Sequence, residues 1–150
     1  MNSYTFNLSH LYMTIHSCQP SGQWLPVAGF PVRAGFPSPA DDYLDDAISL
    51  DAYLIADPPA TFLVRVRGDS MIGAGIDEGD LLVVDKGLTA NNGDIVIAVV
   101  DGEFTVKRLH RVRGRCALVA ENPAYPPIRL AASQELEVWG VVRGCVKRFR

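Results

Sequence analysis

The chain has 150 residues, 48% of them hydrophobic and 21% charged, with a formal net charge of -3. That length suits one domain with a real core, since a chain of this size buries about 68–70% of its unfolded surface, and the composition excludes a disordered or collagen-like chain. No apolar run approaches the roughly 18–20 residues of a membrane span, and the mild acidity argues against a surface that grips nucleic acid everywhere.

Residues 1–34 read as an arm. Pro20, Ser21, Gly22, Pro26, Gly29 and Pro31 are expected to block regular helix and strand. The arm is apolar as well, with Leu11, Tyr12, Met13, Ile15, Trp24, Leu25, Val27, Phe30 and Val32. A disordered linker would be more polar, so the arm is expected to lie on something. Residues about 46–56 predict one short helix. Asp46 or Ser49 can cap it, Leu50, Tyr53 and Leu54 share a face, and Pro58-Pro59 ends it. Beyond it everything reads as strand: Thr61–Arg67, Leu81–Val84, Ile95–Val100, Glu103–His110, Cys116–Ala120 and Leu136–Val146. Asp101-Gly102 between two of these runs is the strongest short hairpin signal in the chain. The expected body is mainly β, a barrel-like or folded-sheet domain with one small helix.

Charge is unevenly spread. Residues 1–34 carry no acid and one base, Arg33. Residues 41–80 carry ten acids against Arg65 and Arg67, and residues 103–150 carry ten bases against four acids. Either the acids and bases face each other or water, or Arg108, Arg111, Arg113, Arg115, Lys147, Arg148 and Arg150 form a face for an acidic partner or DNA. Three scattered cysteines, Cys18, Cys116 and Cys145, fit a reducing cytoplasm better than a disulfide framework. His10, His16 and Cys18 are spaced less regularly than zinc motifs, so no metal is expected. The N-terminus lacks a basic stretch followed by an apolar one, so no signal peptide is expected.

Ser70 follows a strand run within Gly68-Asp69-Ser70-Met71, where Gly68 permits a sharp turn that can lift the hydroxyl out of the sheet. A serine there is commonly a turn residue, and as a nucleophile it needs a base within hydrogen-bond reach. Lys107 lies among β-branched and aromatic residues in Phe104-Thr105-Val106-Lys107-Arg108-Leu109. In water only about one lysine in a thousand is neutral near pH 7.4. Desolvation disfavours the ammonium, and a neutral amine could deprotonate Ser70 without any histidine. A snorkelling surface lysine is the alternative role. Ala34-Gly35 joins two small residues at the arm–body junction, leaving a sterically open peptide bond that could enter a narrow site, or simply a flexible linker.

Four segments in one order carry a resemblance. They are Ala34-Gly35-Phe36-Pro37-Ser38-Pro39-Ala40, Gly68-Asp69-Ser70-Met71, Asp94-Ile95-Val96-Ile97-Ala98, and Asp101-Gly102-Glu103-Phe104-Thr105-Val106-Lys107. Asn122-Pro123-Ala124-Tyr125 and Val138-Trp139-Gly140-Val141-Val142 extend it. From about residue 34 to the C-terminus the chain resembles the UmuD-like self-cleaving SOS mutagenesis proteins of the LexA/UmuD Ser-Lys peptidase family. The resemblance implies a LexA-like peptidase β-fold over residues 35–150, preceded by a cleavable arm over residues 1–34. It implies Ser70 as nucleophile, Lys107 as general base and Ala34–Gly35 as the scissile bond. It also implies stimulation by a RecA filament on single-stranded DNA, and a processed homodimer that joins a UmuC-type catalytic subunit as part of an error-prone translesion polymerase. No cofactor, no membrane and no direct nucleic-acid contact are implied, and the location is cytoplasmic.

The arm departs from the family pattern. Ala28-Gly29-Phe30-Pro31-Val32 duplicates the start of the junction, so a second Ala–Gly bond is present. Ser38-Pro39-Ala40 and the acids after it favour Ala34–Gly35. Met13 is an alternative start. Chain reach lets the bond enter its own site or a partner's. Three other classes compete with this reading. A LexA-type repressor needs a helix-turn-helix for which the arm shows no paired helices. A signal peptidase needs a membrane anchor. A non-catalytic polymerase-binding module needs none of Ser70, Lys107 and Ala34-Gly35.

Overall fold

The apolar runs of the sequence become the middle of an antiparallel sheet in the computed structural model, which describes residues 3–8, 11–17, 22–28, 34–35, 44–129 and 136–149. In chain order the strands are β1 (Ser3–Leu8), β2 (Leu11–Ser17), β3 (Trp24–Ala28), β4 (Leu44–Ser49), β5 (Thr61–Arg65), β6 (Leu81–Asp85), β7 (Ile95–Val100), β8 (Glu103–Val112), β9 (Arg115–Val119), β10 (Ile128–Arg129) and β11 (Leu136–Val146). Among the described residues one α-helix, α1 (Leu50–Leu54), lies between β4 and β5 in the chain. Nine of the described strands form one sheet in the order β1-β2-β5-β6-β11-β7-β8-β9-β10, and β3 and β4 pair separately. The fold is mainly β, as the sequence predicts.

Backbone contacts divide the chain into two units. One comprises Met1–Cys18 with Asp57–Arg150, the other Gln19–Ala56. This division reflects packing, whereas the boundary expected after Ala34 is a chemical one.

In the larger unit, β7 explains why its sequence does not alternate. Ile97 joins Val64, Val66, Met71, Ile76, Leu82 and Val84 in one cluster, while Val96 and Ala98 join Leu109, Leu118 and Val141 in another. Successive side chains of a strand point to opposite faces, so a run apolar throughout marks a strand covered on both sides. Asp101 and Gly102 both take positive φ, 51° and 83°, and Val100 faces Glu103 across them. That is the two-residue turn the dipeptide predicts. Arg113-Gly114 closes the β8–β9 hairpin the same way, at φ 50° and 76°.

The long strand β11 pairs with β6 on one side and β7 on the other, with register shifts between Val138 and Gly140 and between Val142 and Gly144. These irregularities let one strand serve two neighbours. Gly140 is required by close approach: a Cβ there would lie 2.6 Å from Val84 Cγ1 and 3.2 Å from the Asp85 carbonyl oxygen.

Three expectations are corrected. The arm was expected to lack regular structure, yet Ser3–Leu8 and Leu11–Ser17 form a paired hairpin whose second strand meets β5 at His16↔Leu63 and Ser17↔Phe62. Every breaker in the arm lies at Pro20 or later, and residues 3–17 contain neither Gly nor Pro. Trp24–Ala28 is also a strand. Pro26, which cannot donate to a ladder, sits where the β3–β4 register shifts. The helix expected over 46–56 is only Leu50–Leu54, because the backbone of residues 44–49 pairs with β3 instead. Its cap is Ser49, which accepts from the Ala52 N–H at 3.4 Å. Thr61–Arg67 ends as a strand at Arg65. Among the described residues no helix is long and apolar enough to cross a membrane.

Gly140→Ala is expected to lower the stability of the folded chain by about 1–3 kcal/mol, the usual cost of forcing an extra carbon into a packed site. Urea unfolding followed by circular dichroism measures it, and an unchanged midpoint would contradict the close approach of β11 to β6.

Candidate active site

Ser70 sits at the head of a loop that leaves β5 and returns to β6. The loop is closed at its base by the Val66 N–H donating to the Asp80 carbonyl at 2.9 Å and the Gly79 N–H to the Val66 carbonyl at 3.0 Å. Gly68 turns the chain at φ 83°, a conformation that favours glycine. Met71, only 1% exposed, then plugs into the core cluster of Val64, Val66 and Val84. Ile72–Ala74 follows as a short 3-10 turn. The serine is therefore held between a glycine that reverses the chain and a methionine that anchors it.

Lys107 comes from β8, directly across from Val96 of β7. It is 7% exposed. Its Nζ lies 2.9 Å from Ser70 Oγ, 2.9 Å from Thr105 Oγ1 and 2.9 Å from the Val106 carbonyl oxygen. All three of these atoms are uncharged oxygens. Burial pushes the Lys107 pKa below its ordinary value, because among the described residues no carboxylate pairs with the ammonium to offset the water it has lost. As a neutral amine it would accept the Ser70 hydroxyl proton over the same separation. The structure thus brings Ser70 and Lys107 together across the 37 positions that separate them.

A second segment, residues 121–125, brackets the serine loop. The Gly73 N–H donates to the Glu121 carbonyl at 2.7 Å, and Asn122 Nδ2 donates to the Asp69 carbonyl at 3.0 Å. The Tyr125 hydroxyl donates to the Asp69 carboxylate, and that bond raises the tyrosine pKa. Glu121 is tied to Arg108, whose guanidinium also donates to the Gly93 carbonyl at 2.7 Å. A Cβ on Gly73 would collide with the Glu121 carbonyl oxygen, so glycine permits this approach.

The foot of the loop is held electrostatically. Lys147 donates to Asp80 at 2.7 Å and also pairs with Asp77, while Asp80 accepts from the Asp77 N–H at 2.8 Å. The bond from Lys147 is the main reason the Asp80 pKa lies below its ordinary value. The Lys147 pKa is raised by the same partners. Burial raises the pKa of the neighbouring Cys145 thiol, whose Sγ lies 3.5 Å from Asp80. The segregated charges therefore meet at Lys147 and Arg108, whereas Arg111, Arg113 and Arg115 are exposed on the β8–β9 hairpin.

Ala34 and Gly35 are exposed and form a bend within the smaller unit. Ala28 ends β3, and Gly29 lies outside the described residues. So do the side chains of His10, His16 and Cys18. Sequence reasoning did not reach the roles of Thr105, Asp69, Asn122 and Tyr125. Thr105 was within reach, since a residue two positions from Lys107 on a strand shares its face. Asn122 and Asp69 are 53 positions apart and leave no periodic signal.

The profile of the family described as Peptidase S24-like matches residues 26–143. Protein SamA of Salmonella typhimurium is 51% identical over 117 residues, covering 78% of this chain and 81% of that protein. Protein MucA of Escherichia coli is 45% identical over 112 residues, covering 74% and 76%. LexA repressor 1 of Xanthomonas campestris is 46% identical over 124 residues, covering 83% of this chain and 61% of that protein.

Removing Lys147 raises the pH at which folded Asp80 takes a proton. A carboxylate with a lowered folded pKa adds stability above its unfolded pKa and loses it as pH falls through the folded one. Lys147→Met is therefore expected to unfold at a higher pH than the parent during acid titration followed by circular dichroism. An acid midpoint equal to the parent's would contradict the pairing.

Proposed function

Because the chain belongs to the Peptidase S24-like family, we propose that it is a self-processing serine peptidase in which Ser70 attacks the Ala34–Gly35 bond with Lys107 as general base. One observation carries this reading. Among the described residues, a buried amine with only uncharged oxygens within hydrogen-bond reach stands 2.9 Å from a serine hydroxyl.

In this mechanism neutral Lys107 takes the Ser70 proton as Oγ bonds to the Ala34 carbonyl carbon. The carbonyl becomes a tetrahedral oxyanion, stabilised by backbone N–H groups, that of Ser70 and a neighbour. Collapse breaks the bond to the Gly35 nitrogen, which receives the proton from the Lys107 ammonium. An ester joins Ser70 to Ala34. Lys107 then deprotonates a water that attacks the ester, and the proton returns to Ser70. Thr105 and the Val106 carbonyl hold the amine in place throughout. Lys107 must be neutral to begin, so its lowered pKa brings the reaction nearer to neutral pH.

The biological role follows the same resemblance. Cleavage is stimulated by a RecA filament on single-stranded DNA. The product, residues 35–150, works in the cytoplasm as a homodimer with a UmuC-type catalytic subunit in translesion synthesis during the SOS response. The motifs around Gly35, Ser70 and Lys107 and the similarity to SamA and MucA support it. The product carries 13 basic and 17 acidic side chains, a formal charge of -4, which argues against direct DNA binding. A second reading is favoured by the match to LexA repressor 1: the peptidase part of a repressor. Specific retardation of operator DNA in a gel would support the repressor.

Incubation with RecA, single-stranded DNA and a nucleoside triphosphate, followed by intact mass, is expected to yield a product beginning at Gly35. Ser70→Ala and Lys107→Met are each expected to lower cleavage by at least about 10²–10⁴-fold, the usual contribution of a positioned base or more, with the melting transition retained. Undiminished release of the arm by either variant would refute the assignment. Spontaneous cleavage should rise with pH and level off at a midpoint below that of an ordinary lysine. A flat rate between pH 7 and 10 would count against a lysine base.

A further inference from the structure

The Asp69–Ser70 peptide unit is trans and planar. Its carbonyl oxygen and its N–H therefore point in opposite directions from one rigid plate. Whatever holds the oxygen of Asp69 also aims the N–H of Ser70. That oxygen accepts from Asn122 Nδ2 at 3.0 Å.

The asparagine is itself oriented. Its Oδ1 accepts from the Ala124 N–H at 3.0 Å, and its carbonyl accepts from the Tyr125 N–H at 3.1 Å. With Oδ1 committed to an N–H donor, Nδ2 must be the atom turned to Asp69. Asn122 is 9% exposed, so water competes poorly for these bonds. The Asp69 carboxylate is held by Tyr125 from the same segment. Among the described residues the Ser70 N–H donates to no backbone carbonyl. The peptide is thus gripped on its carbonyl side, while its N–H has no backbone partner among the described residues.

We propose that Asn122 is a positioning residue that, by holding the Asp69 carbonyl, aims the Ser70 N–H at the oxyanion formed during cleavage. This rests on Ser70 being the nucleophile. Among the described residues Asn122 and Lys107 share no hydrogen bond. Asn122 acts through a single peptide plane, and its effect falls on stabilisation of the transition state rather than on the base.

Asn122→Asp tests this directly. The variant is isosteric, and one oxygen still accepts from Ala124. The other oxygen faces the Asp69 carbonyl without a proton to offer, so attraction becomes repulsion. Outright loss of an oxyanion donor costs about 10²–10³ in rate, and misaiming one is expected to cost about 10–100-fold. Spontaneous cleavage is measured as a pH profile without RecA, so that filament docking does not enter.

The expected result is a plateau rate about 10–100-fold below the parent's; the midpoint is read in the uncharged Asn122→Ser, where it is expected to equal the parent's because the Lys107 contacts are untouched and no new charge is added. A plateau within twofold of the parent's overturns the proposal. So does a midpoint that moves with the rate in the uncharged Asn122→Ser, since Asn122 would then act through Lys107. If Asn122→Asp lacks a cooperative melting transition, Asn122→Ser is measured against the same two criteria. Ser70→Ala is run alongside. Cleavage surviving in that control refutes the nucleophile assignment itself, an outcome separate from either result at Asn122.

Discussion

The burial of one amine is the constraint on which the site depends. Lys107 sits within the sheet with a hydroxyl on each of two sides and a carbonyl on the third. A lysine in water is almost wholly protonated at neutral pH and cannot act as a base. Burial without a carboxylate partner penalises the charged form and makes the same residue able to accept a proton. A single acid in contact with Nζ would undo this by stabilising the ammonium. Three acids near the serine in sequence are committed elsewhere: Asp69 to Tyr125, and Asp77 and Asp80 to Lys147.

Keeping such an amine buried requires a scaffold stable enough to bear the cost. The sheet supplies it by covering β7 on both faces, so that the strand opposite Lys107 is apolar along its whole length. β11 locks this strand to β6, and β6 carries the far end of the Ser70 loop. Base and serine thus stand on elements joined through the same central strands. The loop between them is pinned at three places: at its foot by Asp80 and Lys147, behind the serine by Met71, and at its crest by residues 121–125. Positioning by packed elements is what lets a 2.9 Å contact persist between residues distant in sequence.

Cleavage after Ala34, as proposed, would do more than shorten the chain. Residues 1–34 include β1, β2 and β3, so their removal would take two strands from the large sheet and the partner of β4 from the small one. The β5 edge that meets β2 would then present unpaired backbone groups, a surface open to further pairing. The arm carries one charge, and the product carries nearly all the acids and bases of the chain. Processing would separate an apolar cover from a charged body.

Much of this was legible in the sequence. The uninterrupted apolar run at 95–100 marks a strand buried on both sides, Asp101-Gly102 marks its hairpin, and Gly68 marks the turn before Ser70. These are local signals, set by φ preferences and by the period of a strand, and they survive without knowledge of the fold. Ser70 and Lys107 were also nameable, because their types and spacing resemble a known family. The averaged composition of the arm hides its hairpin: the breakers all lie after residue 19, and residues 3–17 contain neither Gly nor Pro. What the tertiary structure decided is which distant groups meet. The grip of Asn122 on the Asp69 carbonyl, the tie of Lys147 to Asp80 and the neutral surroundings of Lys107 all depend on strands paired out of sequence order. Hydrogen bonds and desolvation act over a few ångströms in space, and no local pattern in the chain encodes that distance.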